Sequence, residues 1–322
     1  MTASDALTPV PDGAEVHVFA PATVANVAAG FDVLGFALHR PGDEVTVRFA
    51  SGEGLRIASM TGADDGIPTE VYANTAGIAA AALLDHLGLD RGIEMHIHKG
   101  IPAGSGIGSS ASSAVAAVVA VNELVGRPLA RRELLPYALK GEAAASAGAI
   151  HADNVGPCLL GGMVLVRSNQ DLDTVRLPVP EQLYAAVVLP NLRILTSEAR
   201  GVLRPEIPMA DAITQWGNLG GLVAGLNLGD FDLIGRSLQD VVAEPYRARL
   251  IPGFHDVGQA ALEAGALGCS ISGAGPAVFA LCQGDELAFR AAIAMQAAFL
   301  EAGLASERFV SSINPLGAQR LK

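Results

Sequence analysis

The chain has 322 residues, half of them hydrophobic and 17% charged, enough for one large or two medium domains with cores of their own and far from the composition of a disordered chain. Its 33 acidic and 21 basic residues leave a formal charge of −12, a field that opposes the backbone of nucleic acid. No nucleic-acid partner is therefore expected, and any anionic ligand has to be held by a few local groups such as helix N-termini, loop amides or single arginines.

The N-terminus, Met-Thr-Ala-Ser-Asp, has neither a basic segment nor an apolar run, so a cytoplasmic location is the expectation. Residues 15–19 read as a strand with Val16 and Val18 on one face, ending at Ala20-Pro21. Strands are expected again at 44–49 and 55–59. A buried alanine- and leucine-rich helix at 74–87 stops at Gly88, and a strand at 93–98 runs into a glycine-rich loop. Helices at 109–125, closed by Gly126, and at 131–147 precede a strand at 163–167. The weakly polar run 111–121 is about half the ~20 residues needed to span a bilayer, so no membrane segment is expected.

The polar segment from Ser168 to Asp173 marks a boundary, dividing the chain into domains 1–167 and 168–322. Beyond it come a strand at 183–189, helices at 213–226, 231–242 and 253–264, a strand at 277–281, a helix at 286–302 and a strand at 309–313. Strands and helices mix without strict alternation or a fixed-period repeat, which predicts an α+β class with two layers in each half. Cys158, Cys269 and Cys282 lack C-x-x-C spacing and read as buried thiols of a reducing compartment.

The chemistry concentrates at Pro102-Ala-Gly-Ser-Gly-Ile-Gly-Ser-Ser-Ala-Ser112. Glycines at 104, 106 and 108 let the backbone adopt positive φ and approach a ligand with no Cβ in the way. The helix that follows aims its unpaired N–H groups and dipole at the same point, and the Ser109 and Ser110 hydroxyls can reach phosphate oxygen or a cation. A Walker A loop is excluded because no lysine follows Gly108. The dinucleotide pattern fails because helix continues where a second strand with its acidic residue is required. A turn with a simple N-cap is the bland alternative. Two further stretches stand out: Pro21-Ala-Thr-Val-Ala-Asn-Val-Ala-Ala-Gly-Phe-Asp-Val-Leu-Gly35, whose few polar residues lie in apolar company, and the glycine-rich Gly268 to Pro276.

In this order the three stretches resemble the GHMP kinase superfamily, whose signature Pro-x-x-x-Gly-Leu-Gly-Ser-Ser-Ala differs here only at Ile107. Within it the chain is similar to the homoserine kinases on Pro21 to Asp32, His151-Ala-Asp-Asn-Val155 with Pro157 and Gly161-Gly162, Thr196-Ser-Glu-Ala-Arg200, and Glu244-Pro-Tyr-Arg247 followed by Leu250-Ile-Pro-Gly253. The resemblance runs from about residue 16 to the end. It implies a two-domain GHMP kinase fold, an N-terminal ribosomal protein S5 domain 2-like domain that binds ATP and a C-terminal ferredoxin-like α/β sandwich. It also implies a homodimer.

By the same resemblance, Asn26, Asp32, His151, Arg200 and Arg247 would hold L-homoserine, with Asp153, Asn154 and Arg200 at the reacting centre. Asn74, Pro102, Gly104, Gly106, Gly108, Ser109, Ser110, Ala111, Ser112 and Gly273 would line the ATP site, and Ser110 and Glu142 would ligate Mg2+. The chemistry is compatible, since an ammonium seeks a carboxylate and a carboxylate seeks a guanidinium fork. Outside these motifs Asp32 would read as a turn cap, His151 as a core histidine, Asn74 as an N-cap and each arginine as a solvated charge. The implied reaction moves the γ-phosphoryl group of ATP to the side-chain hydroxyl of homoserine, on the way to threonine. Asp153 as a base and a base-free mechanism oriented by Asn154 both remain open, the second being preferred. Competing readings are a GHMP kinase for mevalonate or shikimate, a nucleotide sensor without turnover, and, last, a dehydrogenase.

Overall fold

The computed structural model describes residue 11 and residues 13–62, 66–145 and 152–322. Valine-rich alternation in the first half produces β1 (Glu15–Ala25), β2 (Leu34–Glu53), β3 (Leu55–Gly62) and β4 (Arg91–Lys99), laid side by side as β1-β2-β4-β3. β3 and β4 are parallel because α1 (Thr75–Leu87) crosses over between them; the other pairings are antiparallel. β1 does not stop at Pro21. Its ladder breaks between Pro21 and Thr23, where β2 skips from Gly42 to Ala37, and then resumes. The interruption is what the proline signals, and it turns the end of β1 into the cleft wall.

Helices α1, α2 (Ser109–Leu124), α3 (Leu135–Ala145) and α4 (Ala152–Leu160) cover one face of this sheet. The alanines and valines of α2 are buried on nearly every side, so the helix fits between the sheet and both α1 and α3. β5 (Met163–Ser168) and β6 (Asp173–Leu177) extend the sheet from β2 as a hairpin. The division expected at 167/168 thus falls inside a hydrogen-bonded hairpin, because the polar segment is its turn; the first sheet runs on to Leu177.

A second antiparallel sheet has the order β10-β7-β9-β8, formed by β7 (Leu183–Pro190), β8 (Gly268–Ile271), β9 (Val278–Gln283) and β10 (Ser306–Ser312). Period-two alternation sends Val188 and Ala280 to one core, with α9 (Phe254–Glu263) and α10 (Asp285–Glu301), and Val187 and Phe279 to the other. That second core also takes Leu34 and Phe36 of β2 and residues of α6 (Met209–Leu228) and α7 (Phe231–Ser237), so the two sheets share it. The helix expected at 231–242 ends at Ser237. Asp240 gathers the amides of Val242, Ala243 and Glu244 into a turn, which opens α8 (Glu244–Arg247). Finally β11 (Gln319–Arg320) returns to pair with β1.

Cys158 and Cys282 are buried, and Cys269 is half-buried. No helix among the described residues is long and apolar enough to cross a membrane.

Candidate functional site

Three stretches distant in sequence are tied into one cleft. The Thr23 amide donates to Ile107 O at 3.0 Å and Ala277 N to Ser105 O at 3.1 Å, while Gly273 N donates to Ala25 O at 3.1 Å. The Ser272 hydroxyl donates to Gly106 O at 2.8 Å. A Cβ on Gly106 would lie 2.6 Å from Gly275 O, so the contact between the two glycine-rich stretches requires glycine. The cleft is a cavity of about 330 Å³ between the two sheets' loops.

One wall is the loop and the start of α2. Gly104, Gly106 and Gly108 have φ of 71°, 81° and 74°. Gly108 is the residue before the helix, and the Ser112 amide is the first to bond back, at 2.9 Å. The amides of Ser109, Ser110 and Ala111 therefore have no acceptor within the helix and are available to an anion. Beneath them Lys99 and Asp43 form a buried ion pair. Lys99 also donates to Ser109 Oγ and Ser113 Oγ at 2.8 Å, and Asp43 Oδ1 accepts from the Gly100 and Ile101 amides. This network bolts the end of β4 to the first turn of α2 and satisfies both charges, as burial demands.

The opposite wall carries Asp32, Arg200 and Arg247. Asp32 accepts both ends of the Arg200 guanidinium, at 2.7 and 3.2 Å. Arg247 is buried; it donates to Ala199 O at 3.1 Å and Gly273 O at 2.8 Å. Burial lowers its pKa from the ordinary arginine value. Both guanidiniums lie over the Phe31 ring, 5.5 and 5.1 Å from its centroid. The turn bearing Asp32 is strained: Asn26, Val27, Ala28 and Asp32 all have positive φ between 44° and 70°, an uncommon state for a β-branched valine. Asn26 holds the turn by accepting from the Asp32 amide at 3.0 Å and donating to Gly273 O at 2.8 Å.

Between the walls, from α4, come Asp153 and Asn154. Asp153 is buried with its carbonyl against Gly35, where a Cβ would sit 1.8 Å away. Asn154 Oδ1 accepts from the Thr23 hydroxyl at 2.8 Å. With Oδ1 engaged, the Nδ2 donors are what Asn154 offers the cavity.

The cavity therefore brings together Asn26, Asp32, Asn74, Gly104, Gly106, Gly108, Ser109, Ser110, Glu142, Asp153, Asn154, Arg200, Arg247 and Gly273. Pro102, Ala111 and Ser112 do not line it. The Ser112 hydroxyl turns inward to Ala20 O and the Asp43 amide, and the Ser109 hydroxyl to Ile101 O. Asn74 caps α1 through the Ala76 and Gly77 amides, and its Nδ2 bonds Pro68 O. His151 lies outside the described residues. Sequence reasoning passed over Thr23, Phe31, Lys99 and Arg193. Lys99, alone at a strand end before the glycine loop, was the nearest to a legible signal.

Two family models match: GHMP kinases N terminal domain over residues 74–162 and GHMP kinases C terminal over residues 222–301. A homoserine kinase from Chloroherpeton thalassium is 49% identical over 295 residues, 88% of this chain and 92% of that protein. One from Xylella fastidiosa is 44% identical over 318 residues, 99% of this chain and 98% of its own. The crystal structure of homoserine kinase from Cytophaga hutchinsonii superposes with a TM-score of 0.94 at 49% identity, covering 98% of this chain and 100% of that one.

The chain belongs to the homoserine kinase family. Its fold is the two-domain GHMP kinase fold, shared at 19% identity and a TM-score of 0.71 with L. major mevalonate kinase. Ser110, Glu142 and Asp153 offer the cavity a hydroxyl and two carboxylates, an all-oxygen set suited to a hard cation that keeps several waters. Among the described residues no cluster of three or more His, Cys, Asp or Glu is available to a metal.

Proposed function

We propose that this member of the homoserine kinase family transfers the γ-phosphoryl group of ATP to the side-chain hydroxyl of L-homoserine, giving O-phospho-L-homoserine and ADP. The observation that carries the acceptor is the Asp32–Arg200 pair facing the same cavity as the glycine-rich loop. An α-amino acid presents an ammonium and a carboxylate side by side. Entering between Asp32 and Arg200, it exchanges one ion pair for two, the ammonium on Asp32 and the carboxylate on Arg200, with Arg247 behind. The side-chain hydroxyl then points toward the loop.

The amides at the start of α2 and the glycine loop take the triphosphate, and Ser110 with Glu142 would hold Mg2+. That cation would supply positive charge against the charge of the phosphates. Homoserine oxygen forms the new bond to the γ-phosphorus as the bond to the bridging oxygen of ADP breaks, and the hydroxyl proton leaves to solvent or phosphate. Asn154, its amide set by Thr23, orients the hydroxyl and the γ-phosphate. Positioning and charge stabilisation suffice for such a transfer, so no base is required of Asp153. Three unpaired thiols accord with a cytoplasmic location, and a homodimer is the assembly that goes with the family.

ADP release with L-homoserine, measured beside L-serine, L-threonine and mevalonate, tests this reading: activity confined to L-homoserine is expected, and turnover of mevalonate alone reassigns the acceptor. Asp153→Asn should keep kcat within about tenfold; a loss on the order of 10² or more, the scale of acid–base catalysis, makes Asp153 a base.

A further inference from the structure

Among the described residues, four lysine or arginine side chains line the cavity: Lys99, Arg193, Arg200 and Arg247. Three are committed. Lys99 is buried against Asp43, Ser109 and Ser113, Arg200 is paired with Asp32, and Arg247 spans Ala199 O and Gly273 O. Arg193 differs. It stands in the link between β7 and α5 (Thr196–Gly201), is exposed, and among the described residues its guanidinium has neither a hydrogen-bond nor an ion-pair partner.

Its position is set by the phosphate loop itself. The neighbouring Ile194 amide donates to Gly104 O at 3.4 Å. A Cβ on Gly104 would lie 2.7 Å from Arg193 Cγ and 3.3 Å from its Nε. The side chain thus crosses the loop where glycine leaves room for it, and it reaches the loop from the second sheet's side. The loop amides and the N-terminus of α2 supply only partial charges, and a chain of net charge −12 offers a triphosphate no favourable global field. A guanidinium matches phosphate oxygens bidentately and stays charged.

We infer that Arg193 is a ligand of the nucleotide polyphosphate, reaching the glycine-rich loop at Gly104 from the link between β7 and α5. The inference rests on the kinase reading but not on the identity of the acceptor. The plain alternative is a solvated surface arginine, and direct binding separates the two.

ATP, ADP and adenosine are titrated calorimetrically into the full chain, into Arg193→Ala and Arg193→Lys, and into Arg290→Ala as a control for net charge at an exposed arginine outside the cavity. Arg193→Ala should weaken ATP about tenfold, the effect of losing one charge-assisted hydrogen bond. Adenosine should be unaffected, Arg193→Lys should recover part of the loss, and Arg290→Ala should bind as the unaltered chain does. In steady-state assays KM for ATP rises while KM for the alcohol stays. Unchanged ATP affinity in Arg193→Ala, an equal loss for adenosine, or no ATP binding by the unaltered chain overturns the inference. ATP binding that depends on Arg193 without turnover of any alcohol upholds it and removes the acceptor assignment instead.

Discussion

Thr23 shows how a residue of no evident chemistry acquires a role through one contact. Buried at the resumed end of β1, it presents its hydroxyl to Asn154 Oδ1 and leaves the Nδ2 end of that amide to the cavity. Thr23→Val keeps the shape and removes the donor. Its kcat should fall about tenfold, the scale of one hydrogen bond left unmade, with KM for ATP and alcohol little changed, and Thr23→Ser should restore it. A parallel rise in both KM values would make Thr23 a structural residue only. Asp32, Arg200 and Arg247 were legible because they sit in recognisable motifs. Thr23, Lys99, Phe31 and Arg193 were not, because a threonine in a strand, a lysine at its end and a lone arginine each have a common bland role until their neighbours are known.

Among the elements, α8 is the shortest that the site depends on, four residues carrying Arg247 at one end and Glu244 at the other. Burial pushes the Glu244 carboxyl up to about 7, against a hydrogen bond from Ser270 that pulls it down and Asp240 that raises it further. The folded chain then holds a proton that the unfolded chain releases near the ordinary value of 4.5. The sign follows: stability from this group is highest at acid pH and falls as pH rises from about 4.5 to 7. Glu244→Gln should therefore leave thermal stability nearly unchanged at pH 4 and raise it at pH 8, by about 3 kcal/mol. An equal Tm difference at both pH values would contradict it. The long helices were read closely from composition: α1 begins after Asn74 and stops at Gly88 as expected. The short ones, α5 and α8, were invisible because four to six residues carry no periodicity and are made by tertiary hydrogen bonds.

At the scale of the whole molecule the two sheets are not independent. Phe36 of β2 meets Phe279 of β9 edge-to-face, centroids 6.1 Å apart, inside a core drawn from both. Phe279→Ala should cost about 4 kcal/mol, the range for a buried aromatic, and calorimetry should still record one unfolding transition for the unaltered chain. Two separated transitions would mean that the sheets unfold apart.

The glycine-rich loop, the class of fold and the family were legible in the amino-acid sequence alone, because the loop's glycines and the helix start that follows stand in consecutive positions. That information is local. Tertiary structure alone decided where the first sheet ends, that Ser109 and Ser112 spend their hydroxyls on the interior, and that Asp32 and Arg200, 168 residues apart, already pair across the cleft. Those outcomes depend on distances between side chains remote in the chain, and burial and hydrogen bonding resolve them only once every element has packed.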